Sequence, residues 1–180
     1  MNPPGNLGEV VWGVSPPLDR QPYVPILSPG PGRTITGVIL SDALVGVFTH
    51  WYDGRTVPCY HGPGGVCALC QWAPRRWKGY VALLWNGTPR QGMAEITLDA
   101  VRGCPRLADK DVSLRGLRLV LQRKGRVPNG PVTATVSPSP FQIESLPVPF
   151  TVQDALLRIW SGNEWVASAA RSAAREGGQA

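Results

Sequence analysis

The residues best suited to chemistry lie between positions 50 and 70: His50, Cys59, His61, Cys67 and Cys70. Tetrahedral zinc in a closed structural site takes four soft or borderline ligands, and a Cys-x-x-Cys turn supplies two of them from one tight loop. Cys67-Ala68-Leu69-Cys70 is such a turn. Gly64-Gly65 before it tolerates the positive backbone angles a metal knuckle often needs, and Cys59 stands close enough upstream to return as a third ligand. His50 and His61 compete for the fourth position. His50 is preferred, because ligands drawn from two strands and a turn close a tetrahedron with less backbone strain. The site read from these residues is a structural Zn²⁺ held by His50, Cys59, Cys67 and Cys70.

Three other chemistries fit less well. Free thiols can simply pack as small hydrophobes. A thioredoxin-like redox pair belongs at a strand-to-helix junction, whereas Pro74 follows Cys70 within four residues. A catalytic zinc needs an open coordination position and an acid or base nearby, and around this segment only Asp53 is acidic. Cys104, alone before a proline, reads as packing.

A second group of residues mixes aromatic and basic side chains. Arg75 and Arg76 precede a run carrying Trp77, Lys78, Tyr80 and Trp85, and Trp51 and Arg55 stand before the cysteines. That mixture suits single-stranded nucleic acid, whose bases stack on aromatic faces at about 1–3 kcal/mol each while cations track the phosphates. Strand alternation sets Tyr80 beside Lys78, making it the better exposed platform, while Trp77 could face either way. Arg118, Arg123 and Lys124, with Arg115 and Arg126, extend the basic surface. The competing reading of these aromatics is core packing, and of the charges a solvated face.

The elements that must position these residues follow from composition and period. The chain has 180 residues and a net charge of +6, and residues 33 to 137 carry 14 basic against 6 acidic side chains. Forty residues are glycine or proline, which disfavours long helices and favours a loop-rich β domain. Residues 1 to 32, with eight prolines, read as an extended arm anchored by Trp12 and Tyr23. RTITGVIL and ALVGVFTHW read as two strands of a hairpin joined at Ser41-Asp42, and residues 53 to 76 as a loop inserted before the strand WKGYVALLW. MAEITL places Ala94, Ile96 and Leu98 on one face, and a short helix limited by Pro105 follows between Asp99 and Asp111. Leu117, Leu119 and Leu121, then Val132, Ala134 and Val136, alternate as two further strands around a Pro128-Asn129-Gly130 turn.

The predicted fold is mainly β. Five or six strands form a small OB-like barrel over 33–137, with the zinc loop at 50–76, a proline-rich linker at 138–150 and a helical tail at 151–180. An immunoglobulin-like sandwich is the alternative. In the tail, Thr151 with Asp154 and Ser161 with Glu164 match helix-start spacing, and Val152, Leu156, Ile159, Trp165 and Ala169 make a stripe that docks on the domain. No secretory leader or run long enough for a membrane span is present, so the expectation is a soluble protein with reduced thiols, in the cytoplasm of a bacterium or phage-infected host.

His50, Cys59, Cys67 and Cys70, in that order inside an expected OB barrel, resemble the zinc-containing single-stranded-DNA-binding proteins of T-even phages. The resemblance implies an OB-fold whose basic, aromatic cleft binds single strands, and it favours His50 over His61 as ligand. It covers about residues 33 to 137. The arm carries no basic cooperativity motif, and SAAREGGQA is not the acidic tail through which such proteins recruit replication partners.

The expected function is therefore non-enzymatic binding of single-stranded nucleic acid, with DNA the first candidate and RNA left open. The alternative is a zinc-ribbon adaptor that binds protein partners, through the arm or the tail helices, in a phage or mobile-element assembly. An enzyme ranks last, since the chain lacks clustered carboxylates or a second catalytic histidine.

Overall fold

The computed structural model describes residues 24–59, 67–85 and 90–161. Over these the chain is mainly β: eight strands in one sheet, with two short α-helices and three turns of 3₁₀ helix. The strands are β1 (Ile26–Leu27), β2 (Thr34–Ile39), β3 (Val45–Tyr52), β4 (Arg55–Pro58), β5 (Arg76–Trp85), β6 (Gln91–Thr97), β7 (Leu117–Arg123) and β8 (Val132–Pro138). Helix α1 (Leu98–Arg102) follows β6, and α2 (Val152–Ser161) ends the described chain. No ladder joins β8 back to β1 among the described residues, so the sheet is open.

The ten-residue β5 organises the molecule. One edge pairs with β6 over Lys78 to Leu84. Along the other edge, β3 pairs with Arg76 to Tyr80 and β2 with Leu83 to Trp85, both antiparallel. β2 and β3 thus lie end to end rather than as the hairpin expected at Ser41-Asp42. The reason is local. The Leu40 amide still donates to Ala82 O at 2.8 Å, and the Ala82 amide donates to Ser41 Oγ at 3.1 Å, so the serine side chain carries the ladder across the break. The gap is filled by residues 113–116: the Leu114 amide donates to Asp42 O, the Gly116 amide to Ile39 O, and the Arg115 guanidinium to Leu40 O at 2.7 Å.

Beyond that fork the sheet divides. β2 continues to β7 and β8, and β3 continues to β4 as a separate wing. The wing turns at Asp53 and Gly54, at φ 48° and 73°, the paired positive angles of a two-residue hairpin. Here the structure corrects the reading of 53–76 as one inserted loop. Asp-Gly between β-prone runs is a strong hairpin signal, and it sends Arg55 to Pro58 back along β3.

Both faces of β5 are covered. Val81 and Leu83 enter a core with Ile39, Ala94, Ile96, Leu119 and Leu121, closed by α1 and Leu107. Tyr80 and Ala82 face the other way, against Leu146 and the Val152, Leu156 and Trp160 side of α2. Leu146, in the segment read as a linker, is therefore packed, and Ile26–Leu27, in the segment read as an arm, pairs in parallel with β6. β6 ends one residue earlier than the sequence pattern suggested. Thr97 Oγ1 accepts from the Ala100 amide and caps α1, leaving Leu98 on the helix surface. Trp12, Tyr23, the Ser161/Glu164 helix start, Trp165 and Ala169 lie outside the residues or side chains described. No helix among the described residues is long and apolar enough to cross a membrane.

Candidate metal centre and aromatic wing

His50 comes from β3, Cys59 lies just past the end of β4, and Cys67 and Cys70 flank the 3₁₀ turn Ala68–Gln71. Their ligand atoms all lie within 4.8 Å of one another. Three edges of the cluster are resolved: Cys59 Sγ to Cys70 Sγ at 3.6 Å, Cys70 Sγ to His50 Nε2 at 3.6 Å, and Cys67 Sγ to His50 Nε2 at 3.7 Å. A tetrahedron with bonds of about 2.3 Å to sulfur and about 2.0 Å to nitrogen has edges of roughly 3.5 to 3.8 Å. The four residues fit a metal ion.

The local hydrogen bonds explain how the set is held. The Cys70 amide donates to Cys67 O at 2.9 Å, closing the turn, and the Cys59 amide donates to Phe48 O at 2.8 Å, extending the ladder to Cys59. His50 is 1% exposed and its Nδ1 lies 3.0 Å from Ala73 O. A carbonyl only accepts, so Nδ1 carries the proton and Nε2 presents its lone pair to the sulfurs. The Cys59 thiol is pushed up to about 12, by burial first and then by the Cys70 and Cys67 thiols. A divalent cation would reverse that preference, since it stabilises thiolates. His61 lies outside the described residues. Cys104 is partly buried beside the main core, as packing predicts.

The aromatic and basic residues fall into three groups. The first is buried or committed elsewhere. Tyr80, expected on an exposed face, is 1% exposed because α2 covers that side of β5, and its hydroxyl donates to Glu95 Oε2 at 3.2 Å. Burial, then the Glu95 charge, holds its phenol well above the ordinary value. Lys78 donates to the same Glu95 oxygen at 2.7 Å and to Thr56 Oγ1 at 3.3 Å. Trp77 is half-buried across two glycines: a Cβ at Gly46 or at Gly79 would meet its ring at 2.8 Å. Arg123 is spent on structure, donating to Pro29 O at 2.7 Å and Gly130 O at 2.8 Å.

The second group, Arg118 and Lys124, is exposed on β7 and just beyond it, away from the wing. The third belongs to the wing and divides between its two faces. Register pairs Phe48 with Trp77, His50 with Val57 and Tyr52 with Arg55 on one face, and Val47 with Lys78, Thr49 with Arg76 and Trp51 with Thr56 on the other. Trp51 and Arg76 thus lie on the reverse of the sheet from His50. On the face that carries His50, the Arg75 guanidinium sits 4.1 Å from the centroid of the Phe48 ring, within cation–π range. Arg55 lies 3.6 Å from Asp53.

The sequence reading missed Phe48, Tyr52 and Trp72, all exposed in this wing. Trp72, two residues after Cys70, could have been found as an aromatic tied to the metal turn. Comparison of the chain with family models, with curated proteins and with solved structures finds no match.

Proposed function

We propose that this protein binds single-stranded nucleic acid, DNA in the first instance, through the β3–β4–β5 wing, and that His50, Cys59, Cys67 and Cys70 hold a structural Zn²⁺ that braces it. The observation that carries the reading is the composition of the wing surface. Phe48, Trp51, Tyr52 and Trp72 are exposed there with Arg55, Arg75 and Arg76 among them. Exposed aromatics on a folded domain cost solvation unless something covers them, and interleaved arginines favour a polyanion with stackable faces. Zinc is favoured by the donor set, three thiols and one imidazole on tetrahedral edges.

On this reading the open sheet does the work of an OB-like barrel, and the order of the proposed ligands in the chain resembles that of the T-even single-stranded-DNA-binding proteins. The protein acts by stacking and phosphate neutralisation, without chemical turnover. Affinity should therefore fall steeply with salt and vary little with sequence. The test is fluorescence anisotropy with labelled single-stranded and duplex oligonucleotides at two salt concentrations, with metal analysis of the purified protein. Salt-sensitive preference for single strands and one zinc per chain are expected. Absent or salt-indifferent binding would overturn the nucleic-acid reading and leave the adaptor.

A further inference from the structure

The wing offers two faces, and one short strand of nucleic acid cannot lie flat on both. The metal-bearing face carries the better-built platform. The segment from Cys70 to Arg75 crosses that face, since its first residue meets His50 Nε2 at 3.6 Å and its last lies over Phe48. Trp72 stands between them and is 78% exposed. Its backbone is held on both sides: the Trp72 and Ala73 amides donate to Leu69 O at 3.1 and 2.9 Å, and Ala73 O accepts from His50. An indole on a pinned backbone loses little further freedom when a base stacks on it.

The cations are divided between the faces: Arg75 and Arg55 lie on this one, with Arg55 3.6 Å from Asp53 in the hairpin turn, and exposed Arg76 lies on the other. Cover is not shared equally. Trp51, 58% exposed, lies on the reverse face, where Lys78 is paired with Glu95 and α2 covers the adjoining surface.

We infer that Trp72, carried by the metal turn beside the Phe48–Arg75 pair, is the stacking platform for a base of a bound single strand, and that Trp51 on the reverse face takes no part. This rests on the reading of the wing as a single-strand-binding surface. It makes the metal a positioning device for a contact residue as well as a staple.

The experiment compares the full-length wild type with Trp72→Ala, Trp72→Phe and Trp51→Ala, using fluorescein-labelled oligothymidylate at low salt. Photocrosslinking of an iodouracil-substituted strand is mapped by mass spectrometry. Trp72→Ala should weaken binding at least tenfold and Trp72→Phe much less, while Trp51→Ala stays within about twofold. The crosslink should fall on Trp72 in the wild type. Because Trp72 is exposed, zinc content and thermal midpoint should not change in its variants, which separates lost contact from lost fold. If wild type binds with the expected salt dependence but Trp72→Ala binds equally well, or Trp51→Ala carries the loss, the assignment is overturned and the wing reading stands. If wild type binds no single strand, both fall.

Discussion

His50 Nδ1 donates to the backbone carbonyl of Ala73 at 3.0 Å, so a side chain from β3 fixes the chain that leaves the Cys67–Cys70 turn. That bond sets the imidazole tautomer and orients Nε2 toward Cys67 and Cys70. It also makes the histidine a mechanical link between the sheet and the turn, whatever ion the cluster holds.

The first prediction separates the two histidines. His50→Ala should lose most of the bound metal and weaken hydrogen-exchange protection at Val57, Cys59 and the Ala68–Gln71 turn, whereas His61→Ala should keep its metal. Elemental analysis beside exchange mass spectrometry checks both. Full metal content in His50→Ala would remove the histidine from the ligand set.

Tyr80 gives a pH dependence of definite sign. An exposed phenol in the unfolded chain titrates near pH 10, while the buried one holds its proton to higher pH. The folded state therefore binds the proton more tightly, and its stability is retained below about pH 10 and falls as pH rises beyond it. Tyr80→Phe should cost about 1 kcal/mol at neutral pH, through the lost bond to Glu95, and should flatten that alkaline decline. Urea unfolding at neutral pH and at about pH 10.5 gives the comparison.

Trp77 lies where two glycines make room for it. Gly79→Ala would press a methyl group into Trp77 and Leu44, each 2.8 Å from the new Cβ. A loss of about 1–3 kcal/mol is expected, with a red-shifted tryptophan emission as the indole is displaced. An unchanged unfolding midpoint would show that the ring relocates without cost.

Arg115 ties three segments together, donating to Leu40 O at 2.7 Å and to Leu146 O and Pro147 O at 3.3 Å. Arg115→Ala should destabilise by about 2–3 kcal/mol, and Arg115→Lys should recover little, because one ammonium cannot replace a planar fork. Thermal unfolding of the two variants side by side tests this.

Leu156→Ala, at a buried position of α2, should cost about 2–5 kcal/mol and expose Tyr80 and Val38 beneath the helix. Metal content should be unaffected, since the cluster lies in the wing.

Much of this was legible in the chain itself. The Cys-x-x-Cys turn, Cys59 and a strand-borne histidine pointed to the four residues that the fold gathers into a cluster able to hold a metal ion, because metal-ligand chemistry needs few residues at close spacing. The alternations at Leu117, Leu119 and Leu121, and at Val132, Ala134 and Val136, identified β7 and β8, because period-two burial is written locally. Asp53-Gly54 carried a turn signal as plain as either, though it was hidden in a segment that glycine, proline and cysteine made look like loop.

Tertiary structure decided which face each aromatic took. Tyr80 and Trp77 sit in a strand covered on both sides, so alternation there does not separate inside from outside, and α2, seventy residues later in sequence, buries Tyr80. Trp51 and His50 are neighbours in the chain and opposites on the sheet, which is why residues read as one basic aromatic surface are divided between two. The break between β2 and β3 likewise depends on Arg115 and Gly116 arriving from a distant loop to fill it. Sequence spacing determines what a short segment can do alone; which neighbours cover it depends on the path of the whole chain.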